Sequence, residues 1–317
     1  MTFGAPRAHA DENDIVMSRL GVITNDAMGN PTNAFGNNLL FRSMVSELGV
    51  IFAPRLLTPA NTLGFSEFQF SFDLGFTSIN DTGDYWRVLE SSPSPTGSGV
   101  SHGSGLKKTF GMFMRKGIWF PLPSFEVGAG AVNMLGSGLW AAQGYAKFAL
   151  HEGYHDLPLP SISVRGSASR LMGLKDLDLT IASLDVSASK LIGLGGTWNI
   201  EPYGGWNLLW IIPRSEVVDA TPHIDPFDTM GDSQLNFVFK DQVNITRNRI
   251  FLGVKAQYYV FKMTLEAAFA LKGSSVDDRT GTDLDCGSMA VPTTTSCDST
   301  DQAKGQQTYT FSLGLDF

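Results

Sequence analysis

In residues 309–317 every odd position is apolar (Tyr309, Phe311, Leu313, Leu315, Phe317), and every even one is small or polar (Thr310, Ser312, Gly314, Asp316). Side chains alternate across a strand, so this segment has one wholly greasy face and one hydrophilic face. The pattern recurs upstream. Residues 263–272 set Met263, Leu265, Ala267, Phe269 and Leu271 against Thr264, Glu266 and Lys272. Residues 250–260 turn Ile250, Leu252, Val254, Ala256, Tyr258 and Val260 one way and Lys255 and Gln257 the other. In residues 65–79, Phe68, Phe70, Phe72, Leu74 and Phe76 oppose Glu67, Gln69, Ser71 and Asp73. Weaker versions occupy 109–118, 125–134, 140–151, 161–171, 177–190 and 198–210. Within 177–190 the alternation changes phase near Ala182 and Leu184, which predicts a bulge.

Composition explains what such strands can build. Charged residues are 17% of the chain and hydrophobic residues 43%, with mean hydropathy near zero. A soluble domain of this size carries more charge. A helical membrane protein needs runs of about 18 or more apolar residues, and none occurs. Strands with one face in lipid and one in water satisfy both constraints. The prediction is an all-β fold, an antiparallel transmembrane β-barrel of about ten strands. Alternation in 235–239 leaves twelve open. The net charge of −8 argues against nucleic acid, whose phosphates need clustered Lys and Arg.

The terminal strand ending in Phe317, the repeated alternation and a candidate export site together resemble the general Gram-negative outer-membrane β-barrel class over about residues 64–317. That resemblance implies location in the outer membrane. It makes Tyr309, Phe311, Leu313, Leu315 and Phe317 the signal read by the outer-membrane assembly machinery, which with membrane lipid is the expected partner. The candidate export site is Ala8-His9-Ala10 before Asp11-Glu12, small residues at −3 and −1. Only Met1 to Arg7 precede it, so residues 1–10 read as a truncated signal peptide whose start lies further upstream; a plain disordered tail is the other reading. With Phe317 periplasmic, the long connections 81–105, 213–248 and 273–307 fall outside, and Phe261-Lys262 becomes a tight periplasmic turn.

Residues 11–63 break the alternation. Leu40, Met44, Leu48 and Phe52 recur at intervals of four and predict a short amphipathic helix over 38–52, weakened by Gly49 and ended before Pro54. This segment is either a plug in the lumen or a periplasmic stretch against the barrel mouth. An N-terminal segment leading into the first strand is similar, in architecture alone, to the hatch of the long-chain fatty-acid transporter family. That family has more strands, and no site residues carry over.

Ten charges fall on the expected inner face: Glu67, Asp73, Arg115, Glu126, Lys147, Arg165, Asp185, Glu201, Lys255 and Glu266. In a narrow barrel, mixed signs favour an internal ion-pair network, because unpaired burial is costly. A charged path for a solute is the sharper alternative. Cys286 and Cys297 lie in one polar stretch with ten residues between them, a spacing suited to a disulfide contributing about 2–3 kcal/mol. Trp119, Phe120, Trp140, Trp198, Trp206, Trp210, Tyr258 and Tyr309 are expected in interfacial aromatic girdles.

No nucleophile, base and orienting group stand at informative spacing. His223-Ile-Asp225 is faintly similar to the Asp/His pairs of outer-membrane proteases, and His102 follows Ser101 in a Gly/Ser-rich loop. His151 and His155 fall near the expected periplasmic rim, where interfacial placement explains them, and His9 lies in the candidate export site. The aspartates at 277, 278, 283 and 285 do not match a calcium loop. The expectation is therefore no enzyme, no cofactor and no metal. A small pore or facilitator for small or hydrophobic solutes comes first, with a closed structural or surface-interaction barrel as the alternative and a loop-borne hydrolase third.

Overall fold

The computed structural model describes residues 11–29, 31–93, 100–119, 124–152, 159–220, 235–239, 242–274 and 301–317. In chain order a single 3-10 turn, Met17–Leu20, precedes a hairpin of β1 (Gly21–Asn25) and β2 (Pro31–Gly36). Helix α1 (Asn38–Ile51) follows, then β3 (Phe68–Ser78), a second 3-10 turn (Asp84–Val88), β4 (Leu106–Ile118), β5 (Phe125–Met134) and β6 (Trp140–His151). Next come β7 (Ser161–Met172), β8 (Leu177–Ser189), the short β9 (Ile192–Leu194), β10 (Trp198–Ser215), β11 (Val218–Asp219) and β12 (Asn236–Phe237). The last three are β13 (Ile245–Tyr258), β14 (Phe261–Ala270) and β15 (Gln306–Asp316).

One sheet of 11 strands runs β13-β14-β15-β3-β4-β5-β6-β7-β8-β10-β9, and β10 pairs back onto β13 along its length. Because β9 only doubles back on the start of β10, the other ten strands form a closed antiparallel barrel. Closure removes every free edge, which is what lets strands cross a bilayer. Residues 235–239 add no barrel strand, since β12 pairs with the two-residue β11 instead.

The outer face is apolar: Phe72, Leu74, Met112, Met114, Leu252, Leu265 and Leu313 are all exposed. A water-soluble surface does not carry contiguous apolar area on this scale, whereas lipid requires it. Trp119, Trp198 and Tyr258 stand exposed near one rim, and the Trp198 and Tyr258 rings lie 4.7 Å apart. At that rim the chain turns tightly. The β13–β14 turn is Tyr259-Val260, two residues earlier than expected, because β14 already begins at Phe261. Phe317 lies there too, its main chain paired with Phe68. We call this the turn end. The opposite rim carries the long connections and is the loop end.

The expected bulge in β8 does not exist. Its register is continuous with both β7 and β10, and alternation in burial is unbroken from Leu177 to Ser189. What changes is the polarity of the inner face: Leu177, Leu179 and Ile181 point inward at the loop end, and Ser183, Asp185, Ser187 and Ser189 lower down. A polarity switch at constant parity mimics a phase shift. The irregular register falls instead in β6, between Ala149 and His151.

Helix α1 causes the switch. It starts at Asn37, whose side chain accepts from the Leu40 N–H, and it lies inside the loop end. It is buried almost all round, not on one stripe, because barrel wall surrounds it on one side and the N-terminal cap and loops on the other. Leu209, Ile211, Leu179, Ile181, Ile245 and Met134 line its seat. Gly49 belongs to this fit: a Cβ there would sit 2.5 Å from Ile211 Cδ1.

Candidate functional site

Below the helix the chain runs through the lumen toward the turn end as a strap, residues 52–64, and there enters β3. The barrel wall grips its main chain. Gln143 Nε2 donates to the Phe52 and Ala53 carbonyls at 3.2 and 3.3 Å, and its Oε1 accepts from the Arg55 N–H at 3.1 Å. Arg249 donates to the Pro54 carbonyl at 3.2 Å, Arg165 to Leu56 at 2.7 Å and Arg115 to Leu57 at 3.1 Å. Lys147 Nζ serves the carbonyls of Pro59 (3.2 Å) and Asn61 (2.8 Å). At the turn end the sign reverses. The N–H groups of Thr62 and Leu63 donate to Glu152 at 2.8 Å and Glu126 at 3.0 Å. Gly117 lets the strap pass, since a Cβ there would meet the Leu63 and Gly64 carbonyls at 2.3 Å.

Two of the cations that hold carbonyls, Lys147 and Arg165, are themselves held by carboxylates. Lys147 pairs with Glu126 at 3.1 Å, Arg165 with Asp185 at 3.0 Å and Lys255 with Glu201 at 2.7 Å. Glu201 also accepts from Asn61 and Ser189, tying strap to wall. Glu266 accepts from the Tyr203 hydroxyl at 2.8 Å. Asp73 is buried on β3, with the Arg55 and Arg115 guanidinium groups as its nearest opposite charges. Buried charges left without partners cost several kcal/mol each, so this web holds together only with the strap's carbonyls in place.

Of the ten charges singled out from the sequence, nine lie on the inner wall: Asp73, Arg115, Glu126, Lys147, Arg165, Asp185, Glu201, Lys255 and Glu266. Glu67 departs from this, because β3 begins only at Phe68; its carboxylate is exposed at the turn end and accepts from the Gly64 N–H at 3.0 Å. Sequence reading missed Arg247 and Arg249. Both share the inward parity of Lys255 and would have been found by extending that alternation upstream. Gln143, Tyr203 and Asn207, which accepts from Arg249 at 2.9 Å, also escaped notice for lack of formal charge.

At the loop end the seal is centred on Glu47 of α1. Its carboxylate is fully buried and accepts from the Asn80 N–H (3.0 Å), the Tyr85 hydroxyl (2.7 Å), Trp86 Nε1 (2.7 Å) and the Lys304 N–H (3.1 Å). Burial, reinforced by Glu47, pushes the Tyr85 phenol far up and keeps it a donor. Next to it Arg247 donates to Ser46 Oγ at 2.8 Å and to the Lys304 carbonyl at 3.0 Å. Nearby His102 is buried, with Nδ1 2.8 Å from Ser92 Oγ, and burial holds its imidazole below the usual range. At the turn end a polar cavity of about 380 Å³ remains, lined by Asn61, Glu152, Glu201, Lys190, Lys255 and Gln257 among others.

Cys286, Cys297, His9, His155, His223, Asp225, Phe120 and the aspartates at 277–285 lie outside the described residues. Among the described residues no cluster of three or more His, Cys, Asp or Glu is arranged to hold a metal.

Solved structures to which the chain is similar include the outer membrane protein OprG from Pseudomonas aeruginosa, at 11% identity over 82% of this chain and 99% of that one, TM-score 0.30. The outer membrane protease OmpT from Escherichia coli matches at 10% identity over 84% and 99%, TM-score 0.32. Ail, the attachment invasion locus protein of Yersinia pestis, matches at 8% over 80% and 99%, TM-score 0.28. The chain has the fold of an outer-membrane β-barrel. That statement rests on the closed ten-strand wall and its apolar outer band; likeness at this level transfers no residue and no activity. No family model matches the chain, and no curated protein matches it in sequence. Nothing in the barrel supports the likeness to the long-chain fatty-acid transporter family.

Proposed function

We propose that this barrel is sealed and works as a structural or surface-interaction protein, presenting a folded cap beyond the outer membrane. The observation that carries this reading is the strap, residues 52–64, its main chain bound along the lumen by six charged side chains. The cap of β1, β2, the two 3-10 turns, β11 and β12 gathers at the loop end, which in such barrels faces outward. In this reading the chain is not an enzyme, its bilayer partner is lipid, and the terminal strand 309–317 is the handle for the assembly machinery.

A second reading, a facilitator for small or hydrophobic solutes, is favoured by the polar cavity of about 380 Å³ at the turn end. It requires the strap to move. Planar-bilayer recording of the purified protein separates the two. The sealed reading expects no stable single-channel steps, and steady conductance at modest voltage would sink it in favour of the pore.

A further inference from the structure

Residues upstream of the strap lie at the loop end. Asn13 Nδ2 donates to the Leu135 carbonyl at 2.8 Å, and the Asp14 carboxylate accepts from the Gly138 N–H at 2.9 Å, both in the β5–β6 connection. Ile15 bridges to Leu89 and the Val16 N–H donates to the Val88 carbonyl at 2.8 Å. The first barrel strand nevertheless starts at the turn end, where the Phe68 N–H donates to the Phe317 carbonyl at 2.9 Å. The chain therefore spans the whole lumen between its N-terminal arm and its first strand.

The chemistry of the grip is informative. Arg249, Arg165, Arg115 and Lys147 bind carbonyl oxygens of five strap residues, and Glu126 and Glu152 bind two N–H groups. These are atoms that any extended peptide presents. Where the strap has no N–H to offer, at Pro54 and Pro59, the wall supplies only donors to the carbonyls. Strap side chains add to this at four places: Arg55 donates to Thr109 with Asp73 and Glu266 acting on its charge, Thr58 accepts from Arg165 at 2.9 Å, and Asn61 and Thr62 donate to Glu201 and Glu152.

We propose that the inner wall is a binding surface for extended polypeptide backbone, and that through it the barrel carries its own N-terminal arm to the outer face. The ligand class is an extended peptide, recognised by main-chain carbonyls on fixed cations and main-chain N–H groups on fixed carboxylates. A small solute offers no such repeating pair of groups over the length from Gln143 to Glu126. In the state described here the arm has already passed, and α1 with its Glu47 contacts locks it at the loop end. This inference rests on the sealed, loop-end-outward reading above.

The test uses single cysteines in a Cys286→Ser, Cys297→Ser background, labelled on intact cells with a membrane-impermeant maleimide. Ala27→Cys reports the exposed tip of the β1–β2 hairpin, Val217→Cys an exposed loop-end position and Thr197→Cys an exposed turn-end position. The expected result is that Ala27→Cys and Val217→Cys label to the same extent in intact cells, and Thr197→Cys only after the outer membrane is opened. Protection of Ala27→Cys while Val217→Cys labels overturns the threading and leaves the proposed function standing. Protection of Val217→Cys with labelling of Thr197→Cys overturns the orientation, and with it both readings. Backbone recognition has its own readout: Pro59→Ala and Leu63→Ala, made singly in the Ala27→Cys protein, are expected to leave intact-cell labelling unchanged. Loss of labelling in barrels that still migrate as folded species on unheated gels would overturn it.

Discussion

The two halves of the lumen are filled by one continuous stretch of chain, yet they hold it by opposite physics. At the loop end α1 is seated by apolar wall residues, with Phe41 stacked on Phe239 at 4.4 Å and Gly49 against Ile211, so side-chain shape decides the fit. At the turn end the strap is held chiefly by Arg, Lys and Glu side chains on its main-chain atoms, so backbone path carries most of the fit, with Arg55, Leu56 and Thr58 adding side-chain contacts. The first kind of contact fixes one registered position. The second accepts many sequences and suits a segment that has to arrive by moving.

Substitutions can break each half separately. The largest effect is expected from Arg165→Met, which strands the Asp185 carboxylate and the Leu56 carbonyl and should cost about 3–5 kcal/mol. Urea unfolding in detergent micelles, followed by the gel shift between folded and unfolded forms, reads it directly. Adding Asp185→Leu should recover most of that loss, because no lone charge remains; no recovery would mean that the strap contact, not the ion pair, dominates. Phe41→Ala should cost about 3 kcal/mol through cavity formation in the apolar seat. Its signature is faster proteolysis of the loop-end cap with the strap region still protected. Pro59→Ala should cost less than about 1 kcal/mol, since the carbonyl bound by Lys147 survives and only chain stiffness is lost. A large loss there would erase the contrast between the halves.

The smallest effect concerns pH at the loop end. Burial, aided by Arg87 and opposed by Asp84 and Asp81, lowers the folded pKa of His102 below its ordinary 6.5. The folded state thus binds fewer protons than the unfolded one, so its contribution is full above about pH 6.5 and is lost as pH falls from there through the lowered folded value. The hydrogen-exchange protection of residues 81–92, relative to the intrinsic rate at each pH, should fall on acidification in the native protein and lose that dependence in His102→Gln. Equal pH dependence in both would assign the effect elsewhere.

Much of the barrel was legible in the sequence because lipid and water on opposite faces impose period two, and β3, β14 and β15 obey it from end to end. Legibility failed where a third environment intervened. In β8 and β10 the inward positions near the loop end are Leu179, Ile181, Leu209 and Ile211, and no reading of those strands alone reveals that a helix covers them. The supposed bulge in β8 is that helix seen from the strand. Likewise, the helix pattern read from 38–52 named its apolar residues but passed over Glu47, whose four donors come from residues 80, 85, 86 and 304.

The inner-face charges make the same point about the site. Parity placed nine of ten on the wall, and their mixed signs were read as a network. What they bind was invisible, because main-chain carbonyls carry no sequence signature. The terminal alternation 309–317, and its echoes upstream, determined by themselves that this chain crosses a membrane as antiparallel strands, since side-chain direction along a strand is local geometry. The closing pair β10–β13, the occupancy of the lumen and the loop-end position of the N-terminal arm were decided only by tertiary structure. Each depends on contacts between residues distant in the chain, which local periodicity cannot encode.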